Sequence, residues 1–300
     1  MDQNPHVLYH YKNGNTYVIL CSDGTKVRHV FGDVATPFFP ESIDVKITNY
    51  CRAGCAWCHE KSTEQGKHAD LRRLIRIFDE LGDGVEIAIG GGNPLDHPDL
   101  EWFLHELRNR DLVPNITVNA VHVRKHMDQI VRLHEENLIF GVGVSYNGHS
   151  LKPVVALATK IPIMAHIIVG VNKLDTIMEL RQTPIENILL LGYKYKGRGR
   201  AYYTPFIDEN IQALSSQISD LTGRFNVFFD NLALEQLDVK NKVTEDEWAD
   251  HYMGDDGDFT MYIDLPNETF SVSSFSNTTY QLTGTIRDMF QRLREKKHAH

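Results

Sequence analysis

The residues with the most chemistry in this 300-residue chain lie in one short stretch, Ile47-Thr48-Asn49-Tyr50-Cys51-Arg52-Ala53-Gly54-Cys55-Ala56-Trp57-Cys58-His59. Three of the four cysteines, Cys51, Cys55 and Cys58, fall within eight residues, and Cys21 stands apart. A disulfide framework spreads its cysteines to staple distant loops and needs an oxidising compartment. The tight trio reads instead as a metal site. Three thiolates on one loop can converge on a single soft metal centre, and Gly54 eases the curl such a loop must make. An iron–sulfur cubane has four irons, so three thiolates leave one iron open to a small chelating molecule. A structural site with four protein ligands has no such opening.

Three other readings of the same residues have their own requirements. Cys55-Ala56-Trp57-Cys58-His59 matches the haem-attachment pattern C-x-x-C-H. That chemistry belongs to exported proteins, and the opening MDQNPHVLYHYKNGN shows no basic stretch followed by an apolar run. Cys51, Cys55, Cys58 and His59 could hold zinc, but His59 directly follows Cys58, which strains joint ligation. Unrelated buried thiols fit poorly with three cysteines in eight residues. Cys21, in an alternating segment, reads as a small buried hydrophobe.

A second stretch, Val85-Glu86-Ile87-Ala88-Ile89-Gly90-Gly91-Gly92-Asn93-Pro94-Leu95, is an apolar strand ending in three glycines. Glycine permits close backbone approach and positive φ, so exposed peptide groups can meet polar ligand atoms. Alone, it reads equally as a plain loop.

Together the two stretches resemble the radical S-adenosylmethionine (SAM) superfamily. The resemblance rests on the C-x3-C-x2-C spacing, on the aromatic Trp57 before the last cysteine, and on Gly90-Gly91-Gly92-Asn93-Pro94 beginning 32 residues after Cys58. It implies that Cys51, Cys55 and Cys58 hold a 4Fe–4S cluster whose fourth iron is open to SAM. It places Trp57 against the adenine, and Gly90, Gly91, Gly92 and Asn93 at the methionyl amino group. Asn93 stands where an acidic residue is common; its amide carbonyl still accepts from an ammonium, without the charge attraction. Asn119, Ser145 and His166 fall at or in later strands, where the family contacts SAM ribose, methionyl carboxylate or substrate. For His166 the bland reading is a satisfied core histidine.

The same resemblance implies the reaction. A one-electron donor such as flavodoxin or ferredoxin reduces the cluster, SAM is cleaved to methionine and a 5′-deoxyadenosyl radical, and the radical abstracts hydrogen from substrate. The segments CHEKSTEQGKHAD and IAIGGGNPLDHPDL also resemble short radical SAM proteins of bacteria and bacteriophages. No cysteine lies beyond Cys58, which argues against the auxiliary clusters of many peptide-modifying members. The expected substrate is therefore a small molecule, or a nucleotide or nucleobase. The alternatives are a peptide-modifying maturase and a non-catalytic zinc- or cluster-binding module. No side chain is assigned a catalytic role.

After the sixth strand, Tyr193-Lys194-Tyr195-Lys196-Gly197-Arg198-Gly199-Arg200 carries four cations and two tyrosines. Lys194, Lys196, Arg198 and Arg200 could grip a phosphorylated substrate; the plain reading is a solvated basic loop.

These motifs need elements to position them. Residues 6–31 alternate and carry Asn13-Gly14 and Asp23-Gly24, which predicts an antiparallel meander. From residue 42, candidate strands at 43–47, 85–89, 116–119, 139–145, 163–169 and 188–191 alternate with helical patterns at 70–81, 98–110, 124–136, 151–159 and 174–181. This predicts an α/β fold, a partial (β/α)6-type barrel with a parallel sheet, with a doubly wound sheet as the alternative. A helix at 209–221 and a strand at 227–229 add a seventh unit. A hairpin at 259–265 and 269–273 and a helix at 285–296 follow, with a frayed tail at 296–300. The expected division is an N-terminal β meander (1–40), a radical SAM core (41–235) and a C-terminal extension (236–300). With 42% hydrophobic and 24% charged residues and a formal charge of −9, the chain is ordinary for a globular domain and acidic overall, so nucleic-acid binding is weakly supported. No apolar run is long enough to span a bilayer, and the expected location is the cytoplasm.

Overall fold

A computed structural model describes residues 5–297. The chain opens with β1 (Val7–Asn13), β2 (Thr16–Cys21) and β3 (Lys26–Val30), the expected antiparallel meander. It docks on the N-terminal ends of the main strands. Arg28 forks onto Glu41, with Nε to Oε1 at 3.0 Å and Nη2 to Oε2 at 2.7 Å, and Lys26 pairs with Glu86 at 2.5 Å.

Seven parallel strands then alternate with helices. The strands are β4 (Ser42–Thr48), β5 (Glu86–Gly91), β6 (Val113–Asn119), β7 (Gly141–Ser145), β8 (Met164–Ile168), β9 (Asn187–Leu191) and β10 (Asn226–Phe229). The intervening helices are α1 (Leu71–Phe78), α2 (Leu100–Arg108), α3 (Ala120–Glu135), α4 (Leu151–Ala158), α5 (Leu174–Met178), α6 (Gly199–Tyr202), α7 (Pro205–Ser215) and α8 (Ile218–Thr222). After β10 come α9 (Asn231–Gln236) and α10 (Glu245–His251), then β11 (Thr260–Asp264), β12 (Thr269–Ser271), β13 (Tyr280–Gln281) and α11 (Ile286–Lys297).

The main sheet runs β10-β9-β8-β7-β6-β5-β4-β11-β12-β13. β11 is parallel to β4, so the first strand of the C-terminal hairpin becomes an eighth parallel strand beside the cysteine-bearing one. Among the described residues β10 has only β9 as a neighbour, which leaves the barrel open.

Each strand has two faces because side chains alternate. Ile43, Val45, Ile47, Ile87, Ile89, Ile116, Val118, Val142 and Val144 are buried in the core shared with the helices. The other face lines the barrel interior and carries Asp44, Lys46, Ala88, Gly90, Thr117, Gly143, Ser145 and His166. A Cβ built on Gly143 would overlap the His166 imidazole, so these two share that inner face.

Several boundaries differ from the sequence expectations, each for a local reason. α3 starts at Ala120, four residues early, because the Asn119 side chain caps it by accepting from the Val121 N–H at 3.1 Å. The helix expected at 209–221 starts at Pro205, favourable in a first turn, and breaks at Gln217 into α7 and α8. α10 was not foreseen, although Thr244 and Glu247 form a capping box that the sequence displays. Lys296 and Lys297 belong to α11; residues 298–300 of the expected tail, like residues 1–4, lie outside the described residues. No described helix is long and apolar enough to cross a membrane.

Candidate functional site

The cysteine loop leaves the C-terminal end of β4 and folds back beside it. The Thr48 hydroxyl accepts from the Tyr50 N–H at 2.9 Å, which turns the chain out of the strand. The Cys51 N–H donates to Thr63 O at 2.9 Å and the Thr63 N–H to Asn49 O at 3.0 Å, so the returning segment closes the loop. The end of β5 completes the floor: the Gly92 N–H donates to Thr48 O and the Asn93 N–H to Tyr50 O, both at 2.7 Å.

This packing separates the three glycines. Gly91 has φ +110°, and a Cβ there would stand 2.6 Å from Thr48 O. A Cβ on Gly92 would overlap the Tyr50 carbonyl. These two therefore let β5 meet the cysteine loop. A Cβ on Gly90 would meet nothing within 4 Å. Gly90 alone of the three borders open space.

Asn93 is fully buried. Its Nδ2 donates to Asp96 Oδ2 at 2.7 Å, while its Oδ1 is buried without a partner. Partial burial opposes the charge on Asp96, but hydrogen bonds from Lys125 and Asn93 outweigh it and hold the carboxyl below its usual range. An ionised Asp96 only accepts, so it faces the NH₂ of Asn93 and turns the amide oxygen the other way. It also accounts for the amide at position 93, since an acid there would face a second carboxylate at hydrogen-bonding distance.

All four cysteines are free thiols, and the trio is half-buried. Burial pushes the Cys51 and Cys55 thiols up, and nearby Cys58 raises both further. A cationic centre would relieve that mutual repulsion. Polar hydrogens already point at the sulfurs. The Ala53 N–H reaches Cys51 Sγ at 3.4 Å, and the Asn119 amide reaches Cys55 Sγ at 3.5 Å. His122 Nε2 lies 3.6 Å from Cys51 Sγ. Burial holds the His122 pKa below the usual histidine range. The positive end of α3 thus faces the loop. Sequence reasoning missed His122, although the Asn119 cap places it in the first turn of a helix. Among the described residues no three His, Cys, Asp or Glu side chains are placed to share a single ion. His59, counted in the zinc reading, turns to Glu60 instead, with Nε2 to Oε1 at 3.2 Å. The donor set suits a polynuclear cluster, whose thiolates bind different irons.

Trp57 lies edge-on to Tyr202 at 5.4 Å and lines a cavity of about 40 Å³ with His59, Ile168, Leu191, Gly192, Tyr193 and Lys194. A larger cleft of about 490 Å³ lies away from the thiols, between α1 and residues 282–285. Ser145 pairs in register with His166 inside the barrel. Burial, helped by the Lys194 charge, pulls the His166 pKa down to about 4. Asp44 faces the same interior: water reaches it, yet protein surrounds it, and burial pushes its pKa up to about 6 against the pull of Lys194.

Three cations of the basic segment bind the protein itself. Lys194 Nζ donates to Ser274 Oγ at 2.8 Å, and Lys196 Nζ donates to Ser274 O and Ser276 O. Arg198 donates to the carbonyls of Cys55 and Ser62. Arg200 is exposed, its guanidinium 5.7 Å from the Tyr195 ring centre.

The fold is thus a parallel β/α barrel with a three-thiol loop at the end of its first strand, backed by a glycine-rich second strand end. Residues 45–162 of this barrel match the Radical SAM superfamily. No curated protein matches the chain in sequence. Among solved structures it resembles Streptococcus suis SuiB, with TM-score 0.66 and 13% identity over 98% of this chain and 89% of that one. SuiB bound to the precursor peptide SuiA gives 0.63 and 15%, and SuiB bound to S-adenosylmethionine gives 0.60 and 14%. Those two matches cover 85% of this chain and only 65% and 66% of theirs. At such identities the likeness is one of fold.

Proposed function

We propose that this protein is a radical SAM enzyme in which Cys51, Cys55 and Cys58 hold a 4Fe–4S cluster. The observation that carries the reading is the meeting of three free thiols with a glycine strand end that presents an unpaired acceptor, Asn93 Oδ1. When bound, the cluster and SAM supply reductive cleavage to methionine and a 5′-deoxyadenosyl radical, with the electron from a flavodoxin- or ferredoxin-type donor. The chain's own residues bind and orient. Asn93 Oδ1 accepts from the SAM ammonium and Gly90 leaves the room beside it. Trp57 offers an aromatic edge to the adenine, and Asn119 and His122 steady the thiolates. Ser145 and His166 face the interior where substrate would lie.

The substrate in this reading is a small molecule or nucleotide held inside the barrel, with Arg200 the cation of the basic segment not hydrogen-bonded to protein among the described residues. A peptide substrate is the second reading. It is favoured by the likeness of nearly the whole chain to SuiB, which binds the precursor peptide SuiA in one of its structures. The test is anaerobic reconstitution with iron and sulfide, followed by SAM and dithionite. The expected result is a brown protein that releases 5′-deoxyadenosine, with Cys55→Ala losing both properties. A colourless protein with stoichiometric zinc overturns the reading.

A further inference from the structure

The basic segment after β9 was a candidate substrate grip, but its central arginine points into the cysteine loop. Arg198 Nε donates to Cys55 O at 2.9 Å and Nη1 donates to Ser62 O at 3.0 Å. Its backbone N–H donates to Cys58 O at 3.0 Å. One residue thus ties two of the three cysteines and the far side of the loop. The approach is close: a Cβ on the neighbouring Gly197 would overlap the His59 carbonyl, and one on Gly199 would stand 2.6 Å from Lys194 O. On the other side, Lys194 and Lys196 anchor the same segment to Ser274 and Ser276.

We propose that Arg198 is a positioning residue of the cluster loop, a buckle that fixes the curl of residues 51–63 and brings a permanent positive charge to the thiolates. The proposal rests on the cluster reading above. Two arguments carry it. Two guanidinium nitrogens and the backbone N–H are committed to loop carbonyls, so a substrate phosphate would have to compete with them. The guanidinium is also bonded to the Cys55 carbonyl itself, which holds its charge beside that cysteine. A fixed cation beside a centre that gains an electron favours its reduced form. A lysine keeps the charge but cannot span two carbonyls in one plane.

The test compares wild type with Arg198→Gln and Arg198→Lys. Arg224→Gln is the matched control, since Arg224 also bridges two carbonyls, those of Arg181 and Thr183. Amide hydrogen exchange of residues 51–63 is measured on the full-length protein before iron is added. Iron retention against a chelator and the midpoint potential, from a redox titration followed by electron paramagnetic resonance, are measured after reconstitution. Arg198→Gln should exchange and lose iron about tenfold faster, the scale of one lost hydrogen bond to each of two carbonyls, and its potential should fall. Arg198→Lys should lose iron almost as fast yet keep a potential near wild type. Arg224→Gln should match wild type in all three. Unchanged exchange, retention and potential in Arg198→Gln overturns the proposal, as does Arg198→Lys behaving as wild type in retention. Failure of wild type to take up iron and sulfide would sink the cluster reading instead, a separate outcome.

Discussion

Gly90 and Gly91 are adjacent, yet they should respond oppositely to the same substitution. Alanine at 91 must adopt φ +110°, at a cost of about 1–3 kcal/mol for an L-residue. Its Cβ would also lie 2.6 Å from Thr48 O and 2.9 Å from Lys46 Cγ, forcing the strand away from the cysteine loop for a further ~1–3 kcal/mol. The 2.7 Å bond from Gly92 N–H to Thr48 O is strained by the same movement. The total is about 4 kcal/mol. Alanine at 90 has ordinary φ and open space, so it should be neutral or stabilise by about 0.5 kcal/mol through the unfolded chain. At roughly 2 cal/mol/K of unfolding entropy per residue, that difference separates the two melting temperatures by about 7 °C. Ligand binding should reverse the order of interest. If SAM occupies the space beside Gly90, the new methyl group blocks it, and Gly90→Ala should bind SAM about tenfold more weakly despite its intact fold. Thermal melts of the metal-free protein and equilibrium dialysis of SAM against the reconstituted one measure both quantities. A Gly90→Ala protein that melts as low as Gly91→Ala, or that binds SAM as tightly as wild type, refutes this division of labour.

Two further outcomes follow from charges near the site. Asn93→Asp places a carboxylate against Asp96, so the variant should be about 1–2 kcal/mol less stable than wild type at neutral pH and recover as pH falls and one acid protonates. The swap Asn93→Asp with Asp96→Asn should restore the loss in denaturant titrations, and no recovery would show that the pair is not coupled. His166 has a folded pKa near 4, below its ordinary 6.5, so the native state stays neutral where the unfolded chain takes up a proton. Its contribution is full above about pH 6.5 and is lost as pH falls toward 4, by at most ~3 kcal/mol and less if water enters the barrel. His166→Gln should flatten the stability slope in that window; a slope equal to wild type counts against a neutral His166 facing the interior.

The β/α rhythm was legible because each strand is short, apolar and bounded by helical periodicity, and local pattern suffices for that. The order of the two motifs along the chain was legible for the same reason. Side-chain commitments were less so. The glycines looked alike in sequence, and only the approach of β5 to the loop distinguishes Gly90 from its neighbours. Asn119 was read as a ligand contact, yet it also caps α3 and donates to Cys55, two tasks that one amide can perform together. The basic segment looked free because nothing nearby in sequence is acidic. Its partners are carbonyls and serines more than 75 residues away.

The least legible part is the brace behind the cysteines. Lys46, on β4, pairs with Glu60 at 2.6 Å and with Asp264 at 3.0 Å. Burial opposes the lysine's charge, but the two carboxylates outweigh it and hold its pKa above the ordinary value. The Tyr262 hydroxyl donates to Glu60 at 2.7 Å. Glu60 follows Cys58 by two residues, while Tyr262 and Asp264 lie on β11. The C-terminal hairpin therefore does more than cover an edge. By adding a parallel strand beside β4, it brings two polar side chains to the exit of the cysteine loop, and through Ser274 and Ser276 it also holds the segment that carries Arg198. Buried ion pairs contribute little net stability compared with apolar packing, but they cost several kcal/mol to break and so fix geometry. The loop is thus held from β5 by backbone bonds, from α3 at the sulfurs, and from the extension by charge, which is the rigidity a site needs if it is to place a reactive group without letting water follow.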